Sequence, residues 1–433
     1  MNERKSLFIK ENDLYIGNVK ASQLANEYKT PLYVVDEQYI VEVLNAFTTG
    51  LNAHYGYGKI SYASKAFCCK EIYRILKANN VGTDVVSMGE LFTALSVDFD
   101  AKNIIHHGNN KTFEELEYAI SNNVGLIVVD AISEVEDISV IAKKSNKIVD
   151  VLLRVNPGIE AHTHHYIQTA KPDSKFGFSI ASGEAEGVIN IILRSENVNL
   201  KGLHCHIGSQ IFDNNSFVLA VDKMAQFYKY LLDKFNLSFD ILNLGGGFGI
   251  YYNDEDNKVT PNDYQNAVKL LSEQLNKCIE KYNIKKPYLI LEPGRSVVGE
   301  AGITLYTIGR IKKIKDLKNY ISIDGGMFEN PRFALYQAKY SAVLANRASE
   351  SATEKYTVAG KCCESGDIII EDISLPMPNE GDIMAVFSTG AYNYSMASNY
   401  NRNLIPAVVM VKDGKSKLIV KRQTLDNLVL NDI

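Results

Sequence analysis

Eight short apolar, β-branched runs separated by segments of helical periodicity fill the first two-thirds of the chain and leave few architectures open. They are KISYAS (59–64), GTDVVS (82–87), NIIHH (103–107), GLIVVD (125–130), VDVLLRVN (149–156), LKGLHCHIG (200–208), FDILNLG (239–245) and YLILEPG (288–294). Runs that are apolar throughout need cover on both faces, which parallel strands receive from their crossover helices. The intervening stretches supply those helices. Ile40, Val43, Leu44 and Phe47 share one helical face, similar stripes recur near 69–79 and 112–121, and 215–236 and 262–283 are long and periodic. Eight strands with helical crossovers predict an α/β chain built on a (β/α)8 TIM-type barrel, here opening with a helix.

After about residue 295 the texture changes to strands punctuated by turns: YTIGRIKKIK, YISIDGG, KYTVAGKC, DIMAVFS and AVVMVKDGKSKLIVKR, the last a hairpin turning at KDGK. This predicts a C-terminal β-rich domain, sandwich-like or barrel-like, which also takes the chain start through PLYVVD. The expected division is a barrel over 36–295, with 1–35 and 296–433 forming the second domain. A chain of 433 residues has room for two cores. A net charge of −5 argues against nucleic-acid or membrane-surface partners. No apolar run approaches the roughly 20 residues needed to span a bilayer. MNERKSLFIKENDLYIG lacks an apolar core and cleavage site, so a cytoplasmic protein is expected.

In such barrels chemistry sits at the C-terminal strand ends. Lys65 follows the first strand, Asp84 lies in the second, and His206 ends the sixth. Gly245, Gly246 and Gly247 close the seventh, and Glu292 with Arg295 closes the eighth. A lysine, a carboxylate and a glycine-rich loop suit pyridoxal 5′-phosphate. Its aldehyde needs an amine, its ring nitrogen a carboxylate that favours protonation, and its phosphate backbone N–H groups approachable without a Cβ. Each element alone has a plainer reading: a solvated lysine, a tight strand–helix turn at GGGFG. His204 and His206 share a strand face as metal ligands do, but no third ligand is evident, so no metal is expected. The adjacent Cys362 and Cys363 leave open a disulfide half, a metal clip, or one reactive thiol beside a structural one; a bond between neighbours would need a strained ring.

Taken together, the motifs resemble the diaminopimelate decarboxylases, of the alanine-racemase-like class of pyridoxal-phosphate enzymes. They are YASKAF (62–67), DVVSMGEL (84–91), RVNPG (154–158), KFGF (175–178), HCHIGSQ (204–210), NLGGGFGI (243–250), EPGRSVVGEAG (292–302), DGGMFENPRFALY (324–336), CESGD (363–367), GAYNYSMASNYN (390–401) and KRQTLDNL (421–428). The resemblance implies Lys65 as the cofactor-bonding lysine, His206 stacked on the ring and Glu292 at the ring nitrogen. It implies a phosphate held by Ser209, Gly247, the 292–295 turn with Gly294, and Tyr392. Arg295, Arg332, Tyr336 and Glu364 would meet the substrate's distal carboxylate and amine, and Cys363 the reacting carbon. It further implies a homodimer whose sites are shared between chains, and decarboxylation of meso-2,6-diaminoheptanedioate to L-lysine and CO2, the last step of lysine biosynthesis. Met88, His165, Ala170 after Thr169, and Phe333 depart from the usual pattern. Alternative readings are a decarboxylase of ornithine, lysine or carboxynorspermidine, an amino-acid racemase, or a non-catalytic cofactor-binding homologue. A racemase of this class would carry arginine, not Glu292, at the ring nitrogen.

Overall fold

A computed structural model describes residues 2, 4–159 and 174–433. His165, Thr169 and Ala170 lie outside these residues. The chain forms two compact units, one of Val43–Gly249 with Val259–Ser296, the other of Met1–Glu42, Ile250–Lys258 and Val297–Ile433.

The first unit is a closed parallel barrel. Its strands are β1 (Gly58–Ala63), β2 (Gly82–Val85), β3 (Ile104–His106), β4 (Leu126–Val129), β5 (Val149–Asn156), β6 (Val198–His204), β7 (Ile241–Asn243) and β8 (Tyr288–Leu291). They pair in chain order, and β8 returns to β1 with Leu289 opposite Gly58 and Leu291 opposite Ile60. All eight expected runs thus became barrel strands, and helix Glu37–His54 precedes the first. Ile105, Leu126, Val128, Leu152 and Ile290 fill the interior as one buried cluster. Phe178–Ser179 adds a short parallel pairing to β5.

The helices start where local chemistry dictates. Thr112 and Glu115 form a reciprocal capping box at helix Phe113–Ser121, and Thr260 with Asp263 does the same for helix Pro261–Tyr282, where Pro261 takes the first turn. Met88, where glycine is usual, opens helix Met88–Leu95 without strain; Ser87 caps that helix and the Met88 N–H donates to Glu115 at 3.2 Å.

The second unit is β-rich. Its main sheet runs in the order Ile368–Leu375, Glu354–Ala359, Lys318–Ile323, Gly302–Ile314, Leu32–Asp36, Ala407–Lys412, Lys415–Val420. PLYVVD supplies a fully buried strand between two partners far along the chain, because every residue from Leu32 to Asp36 is apolar or hydrogen-bonded inside. The KDGK hairpin turns through Asp413 (φ 49°) and Gly414 (φ 76°), the left-handed pair that matches strand twist. Among the described residues no helix is long and apolar enough to cross a membrane.

Candidate active site

The C-terminal ends of β1, β2, β6, β7 and β8 bring one set of expected residues together. Lys65 sits in the single helical turn Ser64–Ala66 directly after β1, exposed between two buried neighbours. Asp84 is buried within β2, and its Oδ1 has no hydrogen-bond partner among the described residues. His206 lies two residues beyond the end of β6, half-buried, and its Nδ1 accepts from the Gly246 N–H at 3.3 Å. Arg295 donates from Nε and Nη2 to the Ser209 hydroxyl at 3.2 and 3.0 Å, joining the β8 turn to the β6 loop.

The glycine run is shaped by its neighbours. A Cβ on Gly246 would stand 2.0 Å from the Glu292 carbonyl oxygen, and one on Gly247, at φ +116°, 2.4 Å from that of Gly208. The Glu292 N–H donates to the Gly245 carbonyl at 2.7 Å, so the two loops are bonded together at this approach. Only residues without side chains leave room there.

Glu292 is the electrostatic centre. His107 Nε2 and Asn243 Nδ2 meet its Oε1 at 2.8 and 2.6 Å, and His204 Nε2 meets Oε2 at 3.2 Å. Burial would push this carboxyl up, but attraction to His107 and His204 and their hydrogen bonds outweigh it and hold Glu292 well below the usual carboxylate range. Asp84 goes the other way: burial first, then the Glu292 charge, push it well above that range. Two carboxyls in one barrel mouth are thereby split, one kept ionised and one driven towards its neutral form. Burial lowers His204 to about 4 against the pull of the Glu292 charge, and its Nε2 faces that carboxylate as a donor.

From sequence His204 and His206 share a strand face with no third ligand evident, and the structure gives His204 other neighbours. His204 joins His107 and Glu292, with ligand-type atoms within 4.8 Å of one another, rather than His206. Their nitrogen–oxygen distances are those of direct hydrogen bonds.

Pyridoxal phosphate fits the residues present. They offer an exposed amine at a strand end, an anionic carboxylate, a cradle that a Cβ would fill, and an unpartnered acceptor on Asp84.

The remaining expected residues belong to the β-rich unit. Arg332 opens helix Arg332–Tyr336, is buried, donates to the Tyr340 hydroxyl at 2.9 Å, and lies 4.6 Å over the Tyr252 ring. Tyr336 is half-buried on the same short helix, and Phe333 is half-buried beside it. Tyr392 is half-buried at φ 66°, an uncommon backbone for a side chain. Cys363 and Glu364 are exposed, and the Cys363 N–H donates to Asn401 Oδ1 at 2.8 Å. Cys362 is buried, and all six cysteines are free thiols, which answers the disulfide question.

Sequence reasoning missed His107 and Asn243. Both stand at C-terminal strand ends, the signal that marked the others. What was missing was the side each faces: His106, one residue earlier, is buried with neither ring nitrogen partnered. Also missed was Asp130, whose Oδ1 accepts the Gly177 N–H at 2.5 Å and whose Oδ2 meets Arg154 at 3.4 Å, tying RVNPG to KFGF.

Residues 39–299 match the protein family described as the pyridoxal-dependent decarboxylase, pyridoxal binding domain. The chain is 46% identical over 425 residues to the diaminopimelate decarboxylase of Bacillus subtilis (strain 168), covering 97% of this chain and 95% of that one. It is 44% identical over 421 residues to that of Staphylococcus aureus (strain COL), covering 97% of each. A crystal structure of diaminopimelate decarboxylase from M. jannaschii in co-complex with L-lysine superposes at a TM-score of 0.91 and 34% identity, over 99% of this chain and 98% of that one.

Proposed function

The chain belongs to the diaminopimelate decarboxylases, within the pyridoxal-dependent decarboxylases, and from that premise we propose that it converts meso-2,6-diaminoheptanedioate to L-lysine and CO2. The observation that carries the reading is Glu292, a buried carboxylate kept ionised beside a glycine cradle. Bound pyridoxal phosphate supplies an aldehyde for the substrate's amine and a protonated ring that accepts the electron pair left when carboxylate departs.

The chain's own residues do the rest. Lys65 offers the amine that holds the cofactor, and Glu292 keeps a proton on the ring nitrogen. His206 backs the ring, and Asp84 stands at the Lys65 end. Ser209, Gly247, Gly294, Arg295 and Tyr392 receive the phosphate through N–H and hydroxyl donors, while Gly245 and Gly246, whose N–H groups are held by Asn243 and His206, shape the cradle beside it. Arg295 and Arg332 grip the substrate's distal carboxylate, because a guanidinium presents two parallel donors. Tyr336 and Glu364 complete that recognition, and Cys363 or Lys65 returns a proton to the reacting carbon.

Residues 36–295 form the cofactor domain in this reading, although residues 36–42 and 250–258 group with the β-rich unit, and 1–35 with 296–433 carry the substrate groups other than Arg295. The working form is a cytoplasmic homodimer in which Cys363 and Glu364 of one chain serve the other chain's Lys65. Mixing Lys65→Ala with Cys363→Ala subunits then restores part of the activity, and no restoration counts against sharing. CO2 release from meso-diaminoheptanedioate, lysine and ornithine tests the substrate; faster turnover of ornithine would sink the assignment.

A further inference from the structure

Glu292 does not stand alone. Its carboxylate is reached by side chains that follow or end three other strands: His107 after β3, His204 at the end of β6, and Asn243 at the end of β7. His204 and Asn243 are direct register partners across the β6–β7 pair, so barrel closure itself brings their side chains to one point. All four residues are buried. The His107 and His204 rings meet edge to face with centroids 4.8 Å apart, which limits how either can turn. Asn243 is fixed from both ends: Nδ2 donates to Glu292 while Oδ1 accepts the Gly245 N–H at 2.9 Å. Flipping that amide would break both bonds, so one side chain ties the carboxylate to the first glycine of the cradle.

We propose that His107, His204 and Asn243 are positioning residues that clamp Glu292 as an oriented anion and lock it to the glycine loop. This rests on the reading of Glu292 as the partner of the cofactor's ring nitrogen.

The donor count supports it. Each carboxylate oxygen can accept two bonds. Among the described residues Oε1 receives two and Oε2 one. One acceptor position therefore remains on Oε2, the number a ring N–H requires. Both histidines must carry a proton on Nε2 to serve as donors. Among the described residues, other titratable groups that feel Glu292 include Lys59, Asp84, Arg154, Cys205 and His206. Of these, Lys59 and Arg154 are cations that also favour the anion, and Asp84 opposes it.

The test has two parts. Nitrogen NMR of the full-length protein with labelled histidine, with cofactor bound and after its removal, should show Nε2 of both His107 and His204 protonated at neutral pH. An unprotonated Nε2 on either ring overturns the clamp. Second, His107→Leu removes a donor and His107→Gln keeps one. The leucine variant should lower kcat and cofactor affinity by about tenfold or more, as expected for losing a hydrogen bond to a buried charge, and shift the pH dependence of the bound cofactor's absorption band. The glutamine variant should recover most of both. A His107→Leu protein with native kcat, affinity and band overturns the proposal, and so does a glutamine variant as impaired as the leucine one. If the leucine variant does not fold, the nitrogen spectrum of the unmodified protein decides. Glu292→Gln separates the two readings: native cofactor affinity and absorption in that variant overturn the role of Glu292 at the ring, and with it the clamp's function, whatever the nitrogen spectrum reports.

Discussion

Asp367, which closes the CESGD stretch, is the residue whose removal has the most readable consequence. Its carboxylate accepts two backbone N–H bonds, Oδ1 from Met327 at 2.6 Å and Oδ2 from Cys362 at 2.7 Å. One side chain thus staples DGGM to the cysteine loop, which the Lys361 N–H to Gly325 carbonyl bond (2.9 Å) reinforces. Glycine at 326 and 360 makes room, since a Cβ there would stand 2.6 and 2.3 Å from the Asp367 oxygens. In Asp367→Ala both N–H groups lose their partner. Bonds to a charged acceptor contribute about 1.5–3 kcal/mol each, and the variant is relieved of burying a carboxylate, so the net loss is about 2–4 kcal/mol. Urea unfolding followed by circular dichroism measures it. Because the loop carries Cys363 and Glu364, kcat should also fall by about tenfold or more while cofactor affinity holds, the proposed cofactor groups other than Tyr392 lying on the barrel. An unchanged unfolding midpoint together with kcat within about twofold of the native value would refute the staple.

Gly246→Ala places a methyl 2.0 Å from the Glu292 carbonyl oxygen in a loop bonded on both sides, so cofactor titration should show weaker binding and melting should show a loss of about 1–3 kcal/mol. In the β-rich unit, burial raises Glu329 to about 8 and Glu300 to about 7. Both folded values exceed the unfolded one, so folding takes up protons: this stability is fully present below about pH 4.5 and is lost as pH rises through 7 to 8. Each group costs about 1.4 kcal/mol per pH unit inside its window. Glu329→Gln should therefore lose about 2 kcal/mol less than the native protein between pH 6 and 8, measured as urea midpoints, and equal losses in the two proteins would exclude a protonated Glu329.

What the sequence by itself determined is what depends on near neighbours along the chain. The eight barrel strands, the helix before the first, the caps at Thr112 and Thr260 and the turn at Asp413–Gly414 follow from periodicity, side-chain-to-backbone bonds and backbone preference within a few residues. The placing of Lys65, Asp84, His206, Glu292 and Arg295 at strand ends followed from the same strand boundaries. What only the tertiary structure decided is which of these side chains meet. Glu292 takes its donors from residues 185, 88 and 49 positions away, and Asp367 reaches Met327 across 40. Such pairings depend on barrel closure and strand register, where a slip of one residue would turn His204 outward and put Cys205 in its place. The sheet order of the β-rich unit has the same origin: Leu32–Asp36 finds its partners at Gly302–Ile314 and Ala407–Lys412, choices that no local pattern encodes.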